Sequence, residues 1–227
     1  MNQRKQNLKI FGIVVIIIVL LDQILKIWVK THMYIGESSY THWGWKIKWF
    51  QIYFVENPGM AFGMQLPTQW GKLILTFFRI LIISFLGYYI FKIAGKNVKK
   101  GYIVFLAMIF AGALGNLIDS MFYGVFFSDS PYVVYRGHLP PAHFCLHGCG
   151  YAPFFMGKVV DMLYFPLFKV HLPEWFPIYG GTSFIFFEPV FNIADASITV
   201  GTILLILFSK NAVKNFPDDT KDNDANT

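Results

Sequence analysis

The sequence predicts an α-helical polytopic membrane protein: four transmembrane helices carrying a small extracytoplasmic cap of β-sheet and loop. Three observations carry that prediction. Of the 227 residues, 55% are hydrophobic, 19% aromatic and only 14% charged, a balance too apolar for an ordinary soluble domain. Four separate stretches approach the ~20 apolar residues that a helix needs to cross a bilayer. Lysine and arginine gather at the ends of those stretches in a pattern that puts them on one side. The formal net charge of +6 raises nucleic acid as a partner, but there is no dense basic stripe with interleaved aromatics, and a basic rim facing anionic membrane lipids accounts for it.

The first helix is expected over about residues 8–29, through FGIVVIIIVLL. It follows Arg4, Lys5 and Lys9, as a secretory signal would. It is nevertheless too long, lacks a small-x-small cleavage site and carries DQILK within its apolar length, so it is read as retained. The second helix, about 72–94, and the third, about 102–122, are joined by a short link crowded with Lys92, Lys96, Lys99 and Lys100. The fourth, about 193–208, is shorter and is followed by Lys210 and Lys214. All three basic clusters then face the same side, so both termini are expected in the cytoplasm. Segments 30–71 and 123–191 fall outside. The first alternates apolar and polar residues in WKIKWFQIYFVENPGMAFGM, a strand pattern ending in a Pro-Gly turn. The second is rich in Pro, Gly, Tyr and Phe and holds no long helix. Residues 1–209 thus make a single membrane-embedded domain, and the polar tail 210–227 reads as disordered.

An ionisable group inside a spanning segment is costly unless paired, so acids there are candidates for function. Four of the thirteen acidic residues resist dismissal as surface groups: Asp22, Asp119, Asp161 and Asp195. At about 1.5 Å of rise per residue, Asp22 lies roughly 21 Å into the first helix and Asp119 roughly 26 Å into the third. The fourth helix runs the other way, which puts Asp195 in its first turn, and Asp161 belongs to the outer segment itself. All four reach one level near the outer face. Polar neighbours stand in helical register: Lys26 four after Asp22, Asn116 three before Asp119, Asn192 three before Asp195. NPGMAFG, residues 57–63, adds Asn57 and, at Gly59, a backbone that allows close approach. AGALG in the third helix supplies small residues for tight packing.

Each of these groups also has a plainer account. Asp22 and Lys26 could be a snorkelling interfacial pair, Asn192 and Asp195 a helix cap, and Asn116 and Asp119 a polar contact between helices. Arg79, alone in the middle of the second helix, is expected to pair with a polar group of the bundle and is given no chemistry. Agreement in depth favours a site. Two carboxylates near an outer surface, with no nucleophilic Ser or Cys beside them, suit hydrolysis by an activated water. Close together they do not both ionise, so one keeps its proton while the other acts as base. A proton-coupled transporter component is the rival, and it predicts polar groups spread through the bilayer depth.

DQILK (22–26), NPGMAFG (57–63), GALGNLID (112–119), VVD (159–161) and FNIADASI (191–198) resemble, in order, the five motifs of bacterial lipoprotein signal peptidase, the type II signal peptidase. The resemblance implies a four-helix aspartyl endopeptidase of the bacterial cytoplasmic (inner) membrane, functional as a monomer and needing no metal or cofactor. It would cut diacylglyceryl-modified prolipoproteins just before the lipidated cysteine. By the same resemblance Asp161 and Asp195 are the catalytic pair, while Asn57, Gly59, Asn116, Asp119 and Asn192 shape the site or hold substrate, and Asp22 with Lys26 is a supporting polar pair.

Two departures stand out. Where the family pattern continues Asn-x-x-Asp with Arg, this chain has Ser120, and Arg136 or Lys158 is expected to substitute. The link from Asp119 to Asp161 is also much longer than the family's, with an insertion over about 123–158 that contains HFCLHGCG (143–150). With His138, that run offers His143, Cys145, His147 and Cys149 as ligands for a zinc-dependent membrane hydrolase. Ligands at every second residue, however, point to opposite sides of an extended chain, and an extracytoplasmic loop favours a Cys145–Cys149 disulfide over free thiolates. The insertion itself could be a lid, a partner surface or decoration.

Overall fold

The structure is a computed structural model, and it describes residues 2–47, 49–58, 69–146, 148–171, 173–175, 181–186 and 189–213. Helix α1 spans Gln3–His32. It starts earlier than the apolar run because the Asn2 side chain accepts a hydrogen bond from the Arg4 backbone N–H at 3.3 Å, capping the first turn. Its inward stripe is Asp22, Lys26, Val29 and Lys30, whereas Ile16, Ile17, Leu20, Leu21 and Ile24 are exposed. That is the reverse of a soluble amphipathic helix. The outer face suits lipid, and the inner face carries the groups that need partners.

Helix α3 (Gln69–Ile93) leads through a short link to α4 (Lys100–Ile118), the central helix, which packs on α1, α3 and α6 (Ile193–Val213). Helix α4 and the first turn of α6 approach closely. A Cβ at Gly112 would stand 2.2 Å from the Ala194 carbonyl oxygen, and one at Gly115 would stand 2.8 Å from an Asp22 carboxylate oxygen. The small residues of AGALG therefore set the distance between two elements of the site.

Among the described residues, three helices are long and apolar enough to cross a bilayer: Gln3–His32, Trp70–Ile93 and the continuous Lys100–Phe126. The apolar part of α6, Ile193–Phe208, is shorter. The third of these passes the expected end near 122 because a π-helical turn, Asp119–Tyr123, leads into the short α5, Gly124–Phe126. Helix α6 runs to Val213, so residues 210–213, expected in the disordered tail, are helical; residues 214–227 lie outside the described residues.

The start of α1 and the α3–α4 link share one end of the bundle. Asn7 Nδ2 donates to the Ala94 carbonyl at 3.0 Å, Gln3 Nε2 to Asn97 Oδ1 at 3.3 Å, and the Arg4 guanidinium lies 4.3 Å over the Phe91 ring. A cluster of Ile90, Ile93, Val98, Ile103 and Leu106 packs beneath them. Two of the basic clusters thus meet.

The other end carries the sheet. Strand β1 (Gln51–Asn57) pairs antiparallel with β2 (Val159–Tyr164), with Val55 opposite Asp161 and Asn57 opposite Val159. Val29, Met33, Phe54, Tyr123, Phe127, Val160 and Met162 form the core that ties this sheet to the ends of α1 and α4; each such side chain withdrawn from water contributes on the order of 2 kcal/mol. A second hairpin joins β3 (Phe168–His171) to β4 (Ser183–Phe186). The five-residue α2, Ser39–Trp43, held by a Ser38–Thr41 capping box, is too short for hydrophobic periodicity to reveal. Segment 123–158 folds back along the end of the third long helix through backbone bonds from Cys145 to Phe126 (2.7 Å), Ala152 to Gly124 (3.0 Å) and Gly157 to Ser120 (2.8 Å). Cys145 and Cys149 form a disulfide.

Candidate active site

Asn192 stands immediately before α6. Its Oδ1 accepts the Asp195 backbone N–H at 2.8 Å, and Asp195 Oδ2 accepts the Asn192 backbone N–H at 3.4 Å. This reciprocal box satisfies two otherwise unpaired donors of the helix start and fixes the Asp195 side chain. Cap and candidate site are therefore the same residues, so the plainer account of Asn192 and Asp195 describes how the site is built rather than competing with it.

The fully buried Asn192 amide also donates to Asp161 Oδ1 at 2.7 Å, with longer contacts to Asn116 Oδ1 (3.2 Å) and the Val160 carbonyl (3.3 Å). Asn116 Nδ2 in turn donates to Asp195 Oδ1 at 2.7 Å. One asparagine thus touches both expected catalytic carboxylates, and a second touches Asp195. Asp161 is 4% exposed. Its carboxyl is pushed up to about 7 by burial and then by the Asp195 charge, against the pull of Lys26 and hydrogen bonds from Asn192 and Asn57. A carboxyl in that state can hold a proton near neutral pH beside an ionised partner.

Beneath the pair lies a charged cluster. Lys26 Nζ is 2.8 Å from Asp22 Oδ2, 2.8 Å from Asp119 Oδ2 and 2.9 Å from Asn116 Oδ1. The Asp22, Lys26 and Asp119 side chains are fully buried, which overturns the account of Asp22 and Lys26 as a snorkelling pair: one ammonium serves two carboxylates from different helices. Each carboxylate also anchors backbone. Asp22 Oδ1 accepts the Ala194 N–H at 2.9 Å, and Asp119 Oδ2 accepts the Val160 N–H at 3.3 Å. The cluster therefore holds in place the helix turn carrying Asp195 and the strand carrying Asp161.

Two further members escape a search of the sequence. Gln23 Nε2 donates to Asp119 Oδ1 at 2.9 Å, and Gln23 Oε1 accepts the Tyr123 hydroxyl at 3.1 Å. Gln23 stands within DQILK, but an uncharged amide is not flagged by looking for ionisable groups. The signal available was a second polar residue inside an apolar run. Tyr123 gave none, because its inward direction comes from the π turn.

The expected substitutes for an arginine at Ser120 are engaged elsewhere. Arg136 Nη1 binds Glu37 Oε1 at 2.7 Å, and Lys158 Nζ lies 3.0 Å from Glu56 Oε2 and 3.2 Å from Asp129 Oδ1. The group that reaches Ser120 is Arg79 of α3, whose Nη1 donates to Ser120 Oγ at 2.7 Å; the expected polar partner of Arg79 is thus a residue of the site. Glu56, next to Asn57 in β1, forms a second buried cluster with Lys30, Lys158 and Ser130. Burial alone would raise its carboxyl, yet Lys30 and Lys158 outweigh burial and hold it below the usual range. The Tyr151 hydroxyl accepts the Lys158 backbone N–H at 2.6 Å, and its ring stacks under both ammonium groups, at 4.9 Å from Lys30 and 5.0 Å from Lys158. Segment 123–158 therefore contributes Ser130, Tyr151 and Lys158 to the support of the strand that bears Asn57.

His143, Cys145 and Cys149 bring their donor atoms within 4.8 Å of one another. The two sulfurs are bonded to each other, so in this form neither is a thiolate ligand. His143 Nδ1 bonds the Ser128 hydroxyl at 3.1 Å, and His138 is exposed outside this group. His147 and Gly59 lie outside the described residues.

Known proteins resemble this chain in sequence and in fold. A family model described as "Signal peptidase (SPase) II" matches residues 14–210. A lipoprotein signal peptidase of Porphyromonas gingivalis is 44% identical over 200 residues, covering 88% of this chain and 82% of the relative. One of Amoebophilus asiaticus is 34% identical over 215 residues, covering 92% and 81%. A solved bacterial membrane enzyme shares the fold with a TM-score of 0.52 at 24% identity, covering 91% of this chain and 94% of its own. Several apolar helices, shared fold and matched sequence together make this a multi-pass membrane protein, and it belongs to the signal peptidase II family of proteases.

Proposed function

We propose that the chain is an aspartyl endopeptidase that removes the signal peptide from diacylglyceryl-modified prolipoproteins, cutting just before the lipidated cysteine. The observation that carries this reading is the pair Asp161 and Asp195, both hydrogen-bonded by Asn192, with the Asp161 carboxyl pushed up to about 7. Water activation requires one carboxyl neutral and the other ionised, and the raised Asp161 carboxyl suits the neutral part. The ionised member takes a proton from a water whose oxygen bonds to the scissile carbonyl carbon. The neutral member gives its proton to the carbonyl oxygen. Collapse of that intermediate breaks the C–N bond: one of its hydroxyls returns a proton to the member that gave one, and the nitrogen leaves with the proton first taken from water. No metal or other cofactor enters these steps.

Four membrane passes, the short α6 included, give the chain both termini in the cytoplasm. The basic clusters at one end of the bundle mark that side, and the dyad at the sheet end lies near the outer face of the inner membrane, where β1 and β2 form the cap. Residues 1–209 act as one domain and as a single chain. Asn57, Gly59, Asn116, Asp119 and Asn192 shape the cleft and Asp22 with Lys26 supports it. Crowding of the polar groups at one level favours this reading over a proton path through the bilayer.

The test is cleavage of a synthetic diacylated prolipoprotein peptide by the purified protein in lipid nanodiscs. Wild type is expected to cut before the modified cysteine, and Asp161→Asn and Asp195→Asn to lose turnover. An uncut peptide, or full cleavage by both variants, refutes the proposal.

A further inference from the structure

Arg79 is a half-buried cation on a helix whose neighbouring side chains, Ile74, Phe77, Phe78, Leu81 and Ile82, face outward. A guanidinium has five N–H donors and no means of losing its charge. Among the described residues this one makes a hydrogen bond to Ser120 Oγ at 2.7 Å and closes no ion pair. Asp195, Asp119 and Asp161 are the carboxylates whose charges act on it. The bond to Ser120 does not end there. Ser120 Oγ donates to the Asn116 carbonyl at 2.9 Å, and Asn116 Nδ2 donates to Asp195 Oδ1 at 2.7 Å. A continuous path therefore runs from α3 through the last turn of α4 to the dyad.

The cations around the dyad have different duties. Lys26 of α1 is enclosed by Asp22 and Asp119. Lys72, two turns along α3 from Arg79, donates a hydrogen bond to the Met156 carbonyl at 2.7 Å. Lys158 and Lys30 serve Glu56. Asp119 of the π turn, Asp161 of β2 and Asp195 of α6 are the acids that face the guanidinium. Among the described residues, only Arg79 combines a hydrogen-bonded path to an Asp195 partner with a charge not already neutralised by a bound carboxylate.

We propose that Arg79 is a positioning residue of the dyad: through Ser120 and Asn116 it fixes the Asp195 carboxylate, and its charge sets the proton sharing between Asp161 and Asp195. This inference rests on the peptidase reading above. With the guanidinium gone, a negative charge on the pair is less well supported, and ionisation demands a higher pH. Both limbs of the pH–rate profile then move upward.

The experiment compares wild type, Arg79→Gln, Arg79→Lys and Ser120→Ala in nanodiscs, measuring kcat and KM for the diacylated peptide from pH 5 to 9 together with thermal unfolding. Arg79→Gln is expected to lower kcat with KM little changed and to shift the profile up by about one pH unit. Arg79→Lys, which keeps the charge but not the planar fork, should return the profile to within a few tenths of a unit of wild type while recovering only part of kcat. Ser120→Ala keeps the charge and breaks the path, so it should lower kcat without moving the profile; it also provides the decisive comparison should Arg79→Gln fail to fold. An unshifted profile in Arg79→Gln, or full kcat in Ser120→Ala, overturns the inference while leaving the peptidase reading intact. No cleavage by wild type at any pH removes both.

Discussion

Replacing Asn192 by alanine is the sharpest perturbation the geometry offers. The side chain is fully buried and does two things that alanine cannot. Its Nδ2 donates to Asp161 Oδ1 at 2.7 Å, and its Oδ1 caps the Asp195 backbone N–H at 2.8 Å. Asp161 becomes charged as it gives up its proton in the transition state, where a hydrogen bond to a charged group is worth about 1.5–3 kcal/mol; an N-cap is worth about 1 kcal/mol. If the first is lost in the transition state, each 1.36 kcal/mol costs a factor of ten, so kcat should fall about 10- to 150-fold. The cap should appear separately, as a loss of about 1 kcal/mol in stability. Turnover of an internally quenched diacylated peptide in nanodiscs measures the first, and thermal unfolding of the same samples the second. Asn192→Asp, close in shape, sets a third carboxylate against Asp161 and should be the more damaging of the two. A folded Asn192→Ala variant with kcat within twofold of wild type refutes the assignment of Asn192 as the organiser of the pair.

Three further expectations are open to measurement. Because the Asp161 carboxyl is raised to about 7, its contribution to stability is fully present below about pH 4, the usual carboxylate value, and is lost as pH rises through about 7; kcat/KM should decline over that upper range, and a rate flat from pH 6 to 9 contradicts a neutral Asp161. Gly112→Ala would put a Cβ 2.2 Å from the Ala194 carbonyl oxygen, a backbone atom with no freedom to yield, whereas a Cβ at Gly12 meets nothing within 4 Å. The first should lower stability by at least about 1–3 kcal/mol and the second leave it nearly unchanged, as judged by thermal unfolding. Joint replacement of Cys145 and Cys149 by serine opens a loop of sequence separation 4, worth about 2 kcal/mol at most in the chain-entropy account, and touches none of the dyad's hydrogen bonds. Cleavage should survive both that change and strong chelation; activity abolished by chelator and restored by zinc would reinstate the metal reading.

Much of the site is legible in the chain because charge inside a lipid-facing helix is costly wherever it is placed. Asp22, Lys26, Asn116, Asp119, Asn192 and Asp195 could be gathered to one level by counting helix rise, and the structure joins all six through hydrogen bonds or ion pairs. Gln23 and Tyr123 escaped because neither carries a charge that demands an explanation. Arg136 and Lys158 were plausible substitutes for an arginine at position 120 only while their partners were unknown. Glu37, Glu56 and Asp129 hold them, and such long-range pairing leaves no spacing signature.

By itself, then, the sequence determined the membrane setting, the places of the long helices and the acids' positions along them, since each follows from local hydropathy and a fixed rise per residue. Only the tertiary structure decided which acids pair and through what. Asp161 comes from a strand and Asp195 from a helix, and Asn192 meets both because Gly112 and Gly115 let α6 close on α4. Arg79 meets Ser120 because α3 packs against α4, which the π turn carrying Ser120 continues. Contacts between segments so far apart depend on packing distance and side-chain direction, which the order of residues along one helix does not encode.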